Sequence, residues 1–285
     1  MKSDMNPAAP RRTARAHWPQ IAGQWNLVGS PLRPSAEDIS LFAATMEDMP
    51  KTTPAPRALV LGVTPELYGL AWPEGTSILA VDHTRAMINA LWPGPSGSAL
   101  EADWTKLPLP PASRDIALCD GGLHLVGFPA GQREMVSRLH KILAERGVAA
   151  FRLFASPAER ESAAAVLEDL FMKRVPSLNV LKIRLGMALQ ENPVEGIRLG
   201  RVWEVLHRAA PDFNALAGQV GWPLDHLLVI NTYHGSSKRY HFVSLEQACR
   251  LFCEEPGGFD LVRTVTPSSY ALSERCPIVV FRRCR

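Results

Sequence analysis

The chain has 285 residues, 46% of them hydrophobic and 21% charged, ordinary proportions that allow one large domain or two modest ones and exclude global disorder. With 31 Lys and Arg against 28 Asp and Glu the net charge is +3, too small for a broad phosphate-binding surface, so nucleic acid is not an expected partner. No apolar run reaches the ~20 residues of a membrane-spanning helix, and the opening MKSDMNPAAPRRTARAHWPQ lacks the apolar stretch of a secretory signal, so the expectation is a cytoplasmic protein with no membrane partner.

Residues 1–56 are rich in Pro and Arg and read as an N-terminal arm. Its cluster Arg11, Arg12, Arg15 reads as a solvated terminus, and Trp18 and Trp25 as anchors packing the arm onto the domain. A helix is predicted from Ser35 to Met46, with Ser35 as N-cap and Asp38 in the first turn. From Arg57 the pattern changes to short apolar runs alternating with helix-period stretches, the signature of βα units and a parallel sheet. The runs are Ala58–Gly62, Ser77–Asp82, Ser98–Ala102, Asp115–Asp120 and Gly147–Phe154. The segment AGQREMVSRLHKILAERG, with Met135, Leu139, Ile142 and Leu143 on one face and Gly147 at its exit, predicts an amphipathic crossover helix.

About a hundred residues of mainly helical pattern follow. Two more strand-like runs, Phe259–Thr266 and Cys276–Arg283, close the chain; the nine residues between them are too few for a helical crossover, so they are expected to pair antiparallel. The fold class is therefore α/β, a mostly parallel seven-stranded sheet with an antiparallel last strand and a mainly helical insert after strand five. The five cysteines form neither a disulfide framework nor a closed metal-ligand set; Cys249 and Cys253 share one face of a predicted helix without a second ligand pair, so no metal is expected.

In an open α/β sheet the ligand lies beyond the carboxyl ends of the strands, where strand order reverses. The residues there are Gly62-Val63-Thr64-Pro65-Glu66, Asp82-His83, Asp103-Trp104 and Asp120-Gly121-Gly122. Asp82 lies 20 residues after Gly62, the spacing at which an acid reaches the hydroxyls of an adenosine ribose. A pyrophosphate needs a second glycine and a free helix N-terminus; here Thr64 occupies the glycine position, Pro65 removes an amide donor and Glu66 adds a negative charge. These residues disfavour NAD or FAD and suit a ligand with an adenosine ribose, no phosphate and a positive sulfonium, S-adenosylmethionine.

At these residues the chain resembles the class I S-adenosylmethionine-dependent methyltransferases, from about Arg57 to Phe154 and again from Phe259 onward. The segment ADWTKLPLPPASRDIALCDGGLHLV is the most specific match, and the glycine-poor loop GVTPE, where the family usually has G-x-G-x-G, is the main departure. The resemblance implies S-adenosylmethionine as cofactor. Gly62, Val63, Thr64 and Pro65 would line its methionine and ribose side, and Asp82 would hold the ribose hydroxyls. His83 would flank the adenine, Asp103 would accept from the adenine amino group beside Trp104, and Asp120 with Gly121 would pass under the methionine portion. Each also has a plainer reading: Asp82, Asp103 and Asp120 as turn acids, Thr64-Pro65 as an N-cap and N1 pair, His83 as a solvated loop residue, Trp104 as a core roof.

The implied organisation is an arm at 1–56 over the cofactor site, a methyltransferase domain at 57–154 and 257–285, and a helical cap at 155–256 recognising the acceptor. Candidates for an acceptor-side base are His124, just past strand four, and Tyr233, His234 and His241 in NTYHGSSKRYHF. That stretch equally reads as a β-hairpin around Gly235. The expected activity is methyl transfer by in-line displacement to a small-molecule acceptor, in a monomer or homodimer. The alternatives are a non-catalytic protein binding the same cofactor or its demethylated product and, less favoured, a nucleotide-dependent oxidoreductase.

Overall fold

The computed structural model describes residues 17–50, 53–254 and 257–284; the Arg11, Arg12, Arg15 cluster lies outside them. The apolar runs form β1 (Arg57–Leu61), β2 (Ser77–Asp82), β3 (Ala99–Glu101), β4 (Arg114–Asp120) and β5 (Leu143–Arg152). A two-residue ladder, β6 (Ile197–Arg198) with β7 (Arg239–Tyr240), stands apart, and β8 (Phe259–Val265) and β9 (Ile278–Arg283) complete the main sheet. Its order is β3-β2-β1-β4-β5-β9-β8, with β1 to β5 parallel and β9 antiparallel to both neighbours. The expected closing pair is therefore present, with β9 inserted between β5 and β8.

Side chains alternate across this sheet with period two. Ala58, Val60, Ile116, Leu118, Val148 and Ala150 face one side, Leu59, Leu61, Ala117, Cys119, Ala149 and Phe151 the other, and all are buried. Both faces being covered explains why these strands read as continuous apolar runs. The first face packs against α2 (Ala36–Ala44), α3 (Pro65–Tyr68) and α4 (Arg85–Leu91) through Phe42, Leu67 and Met87. The second packs against α5 (Ala130–Ile142) through Met135, Val136 and Leu139. Ahead of these lies α1 (His17–Ala22). The α2 start has the predicted cap: Ser35 Oγ accepts from the Asp38 amide at 3.1 Å and the Asp38 carboxylate accepts from the Ser35 amide at 2.8 Å.

Between β5 and β8 run α6 (Ala163–Phe171), α7 (Leu178–Leu189), α8 (Leu199–Ala209), α9 (Phe213–Val220), α10 (Leu224–Leu228) and α11 (Leu245–Cys253). The first five share a separate core that reaches Phe154 and Tyr233. The last does not belong with them: Ala248, Leu251 and Phe252 pack under the sheet, and the Phe252 ring stacks on Phe281 at 4.0 Å. The segment expected to be cap through 256 thus gives α11 to the sheet.

Two local expectations are corrected. The crossover helix stops at Ile142 rather than Gly147, because Leu143 already pairs with Arg114; the extra residues before Val148 form a bulge in which Arg146 takes φ 61°. Gly147 serves by its size, since a Cβ there would lie 2.8 Å from the Ala144 carbonyl oxygen. NTYHGSSKRYHF is not a hairpin: Val229–Tyr233 is a 3₁₀ turn, and Arg239 and Tyr240 pair with Arg198 and Ile197 instead.

Candidate functional site

A cavity opens at the carboxyl ends of β1, β2 and β4. Its floor is made by Gly62, Val63, Thr64, Asp82, Trp104, Asp120, Gly121 and Gly122. The arm supplies a roof of Trp18, Ile21, Trp25, Val28 and Leu32, and the helical segment a wall of Lys182, Tyr233 and Tyr240.

The backbone shapes the floor. Gly62 leaves β1 at φ 92° while its amide donates to the Val81 carbonyl at 2.8 Å, so the turn requires glycine and still continues the ladder. Gly121 leaves β4 at φ 58°, and a Cβ there would lie 2.9 Å from the Phe154 ring. The Trp104 indole donates to the Val81 carbonyl at 2.8 Å, fixing the ring beneath Gly62 and Gly122.

Asp82 is 7% exposed, and its carboxylate accepts from the Thr84 amide at 2.8 Å. Burial pushes this carboxyl above the usual range against the opposing pull of Thr84, His83 and the Val63 amide. His83 also lines the cavity; half-exposed, it lies 3.7 Å from Asp82 and meets the Trp18 ring edge-on at 6.0 Å, joining the arm to the strand end. Asp103 is exposed and does not line the cavity; it caps the next turn, accepting from the Thr105 amide and hydroxyl at 2.9 Å. Pro65 opens α3 just outside the cavity, and Glu66 behind it is ion-paired with Arg33 of the arm.

Of the four candidate bases, His124 and Tyr233 reach the cavity. Burial, His241 and Arg152 pull the His124 imidazole down to about 3, so it is neutral, and among the described residues its Nδ1 has no hydrogen-bond partner. Its ring stacks on Phe242 at 5.3 Å and meets Tyr240 at 4.5 Å. Burial raises the Tyr233 phenol well above its ordinary value and the Tyr240 phenol to about 12, so both stay protonated. His234 is exposed against Trp203 at 4.1 Å, and His241 turns away to the Pro193 carbonyl at 2.9 Å. Neither lines the cavity.

Sequence reasoning passed over two buried cations. Arg152, 0% exposed, ends β5 beneath the cavity; it is ion-paired with Asp120, lies 3.7 Å from Asp38 and donates to the Tyr270 hydroxyl at 3.3 Å. Burial alone disfavours a charged guanidinium, but Asp120 and Asp38 outweigh it and hold Arg152 protonated. Lys182 lies within α7, and its only sequence signal is a lysine inside a largely apolar helix.

No protein-family model and no curated protein matches the chain. Solved structures do. A Rhodobacter sphaeroides protein described provisionally as a Zn-dependent alcohol dehydrogenase superposes at TM-score 0.61 and 15% identity, covering 96% of this chain and 100% of that one. The CcbJ methyltransferase of Streptomyces caelestis gives 0.53 and 13%, covering 96% and 100%. A Haloferax volcanii complex of the Trm112 methyltransferase activator with a protein described provisionally as a methyltransferase gives 0.52 and 12%, covering 95% and 99%. Strand order separates the two descriptions. A dinucleotide-binding sheet runs 3-2-1-4-5-6, whereas here a reversed strand is inserted between the fifth and sixth. The fold is that of the class I S-adenosylmethionine-dependent methyltransferases.

Within this methyltransferase fold, α3 has only four residues and a proline at its start, a poor anchor for a pyrophosphate. Among the described residues no group of three His, Cys, Asp or Glu side chains is placed to hold a metal ion, and all five cysteines are free.

Proposed function

We propose that the protein binds S-adenosylmethionine in this cavity and transfers its methyl group to a small-molecule acceptor held under the helical segment. The observation that carries the reading is Asp82: a nearly buried carboxylate at the end of β2, opening into the same cavity as Gly62 and Gly121. The donor set fits, since one acid can accept from two ribose hydroxyls and the aromatic roof suits a flat base.

Bound there, the cofactor supplies an electrophilic methyl group on a sulfonium. What remains for the chain is to align the acceptor and exclude water. Trp18, Ile21, Trp25 and Val28 close the cavity from the arm side, and the Arg33–Glu66 pair ties the arm to α3. His124 presents a neutral imidazole beyond β4, which can accept a hydrogen bond from an O–H or N–H of the acceptor and orient it. Tyr233 and Tyr240, held as phenols, shape the acceptor end rather than remove protons.

Hydrogen bonds to a charged group contribute ~1.5–3 kcal/mol. Asp82→Ala is therefore expected to weaken S-adenosylhomocysteine binding by about ten- to a hundredfold while leaving the circular dichroism spectrum unchanged. A variant that binds as tightly as the wild type would remove Asp82, and with it the proposed orientation, from the account.

A further inference from the structure

Helix α7 is buried on nearly every side, and its two cations are treated in opposite ways. Arg184 points outward and is ion-paired with Glu161 and Asp169, the latter at 2.7 Å. Lys182 points inward, is 3% exposed and lines the cavity. Its ammonium lies 4.9 Å from the centre of the Tyr233 ring. Among the described residues no carboxylate pairs with it and no oxygen accepts its hydrogen bonds; burial is the sole cause that pulls its amine down to about 7. Burying an unpaired ammonium is unfavourable, so this position needs an anion that the described residues do not provide.

The surroundings describe that anion. Among the described residues lining the cavity Lys182 is the sole Lys or Arg, which matches one negative charge rather than two. From Tyr233 a line of ring contacts runs through Tyr240 at 6.4 Å and His124 at 4.5 Å to Phe154 at 5.0 Å, whose ring covers Gly121. The lysine thus stands at one end of a mostly aromatic trough whose other end is the strand-four turn.

We propose that Lys182 binds a carboxylate of the methyl acceptor, so that the substrate class is small, largely apolar monocarboxylic acids. The proposal rests on the methyltransferase reading for the identity of the reaction, while the anion site itself rests on Lys182 and the trough. Cation–π contact with Tyr233 holds the ammonium in place until the carboxylate arrives. The other carboxylate that could reach it is that of the cofactor's own methionine, and the experiment separates the two.

Wild-type protein saturated with S-adenosylhomocysteine is titrated calorimetrically with benzoate, cinnamate and hexanoate, each beside its neutral amide. The expected result is that at least one acid binds and its amide binds at least about tenfold more weakly. In Lys182→Met that preference disappears while S-adenosylhomocysteine affinity stays within about twofold of wild type. Acids and amides that bind alike, no acid binding at about 10 mM, or an acid preference that survives in Lys182→Met would each overturn the proposal. A Lys182→Met protein that loses S-adenosylhomocysteine binding about tenfold would assign the ammonium to the cofactor and overturn it too. Failure of the wild type to bind S-adenosylhomocysteine at all is seen before any acid is added; it ends the methyltransferase reading and this substrate assignment with it.

Discussion

Arg152→Ala is expected to destabilise the protein by about 3–5 kcal/mol, the usual cost of removing one partner from a buried ion pair. Arg152 is wholly buried between Asp120 and Asp38, with Tyr270 completing the ring of partners. Both carboxylates have side chains at most 4% exposed, so without the guanidinium two negative charges face each other away from water. The melting temperature should fall by on the order of 10 °C. In the variant the stranded carboxylates would hold protons more tightly folded than unfolded, so its deficit should shrink as pH is lowered. The triple change Arg152→Met, Asp120→Asn, Asp38→Asn removes the charges together and should recover part of the loss. Thermal denaturation of the three proteins across pH checks this; an Arg152→Ala protein as stable as wild type contradicts it.

Lys182→Met is expected to act in the opposite direction and to raise stability. In the folded protein burial brings the Lys182 amine down to about 7, whereas in the unfolded chain it returns to its ordinary value of 10.5. Below about pH 7 both states carry the proton, and the folded state bears the whole cost of a buried ammonium. Between the two values the unfolded chain binds more protons, so wild-type stability rises with pH through that window and is level above it. The stabilising effect of Lys182→Met should therefore be greatest near about pH 6, with a melting temperature higher by on the order of 10 °C, and should fade towards about pH 10. Calorimetric melts of both proteins at the two pH values measure it. Equal melting temperatures at the lower pH would show that the ammonium is well solvated after all. A chain that gains stability by losing a side chain in its cavity keeps that side chain for something other than folding.

The sheet was legible because both of its faces are covered: Ala58–Leu61, Ile78–Val81 and Ile116–Cys119 are uniformly apolar, and turn residues bound them. The reversal of β9 was legible from the short connection to β8. Asp82 stood out because it ends a strand, and the cavity contains it; Asp103 follows the end of β3 by two residues, yet spends its carboxylate on Thr105. From sequence these two acids are alike, since what separates them is the direction of one side chain. The stretch that holds Tyr233 and Tyr240 reads locally as a hairpin. They do not face each other in a hairpin but come from a 3₁₀ turn and from a strand paired to Ile197, a distant partner that no local pattern encodes. Arg152 and Lys182 were hidden because each sits in an apolar run, where a charged residue looks like an interruption until the partners of one, and the missing partner of the other, are seen in three dimensions.

The central claim is that the cavity beyond β1, β2 and β4 holds S-adenosylmethionine. Its most direct test is calorimetric titration of the wild-type protein with S-adenosylmethionine and S-adenosylhomocysteine, with NAD as the comparison. The expected result is saturable binding of both sulfur ligands at one site per chain and no heat from NAD. Binding of NAD, or no binding of either sulfur ligand at about 1 mM, would contradict it.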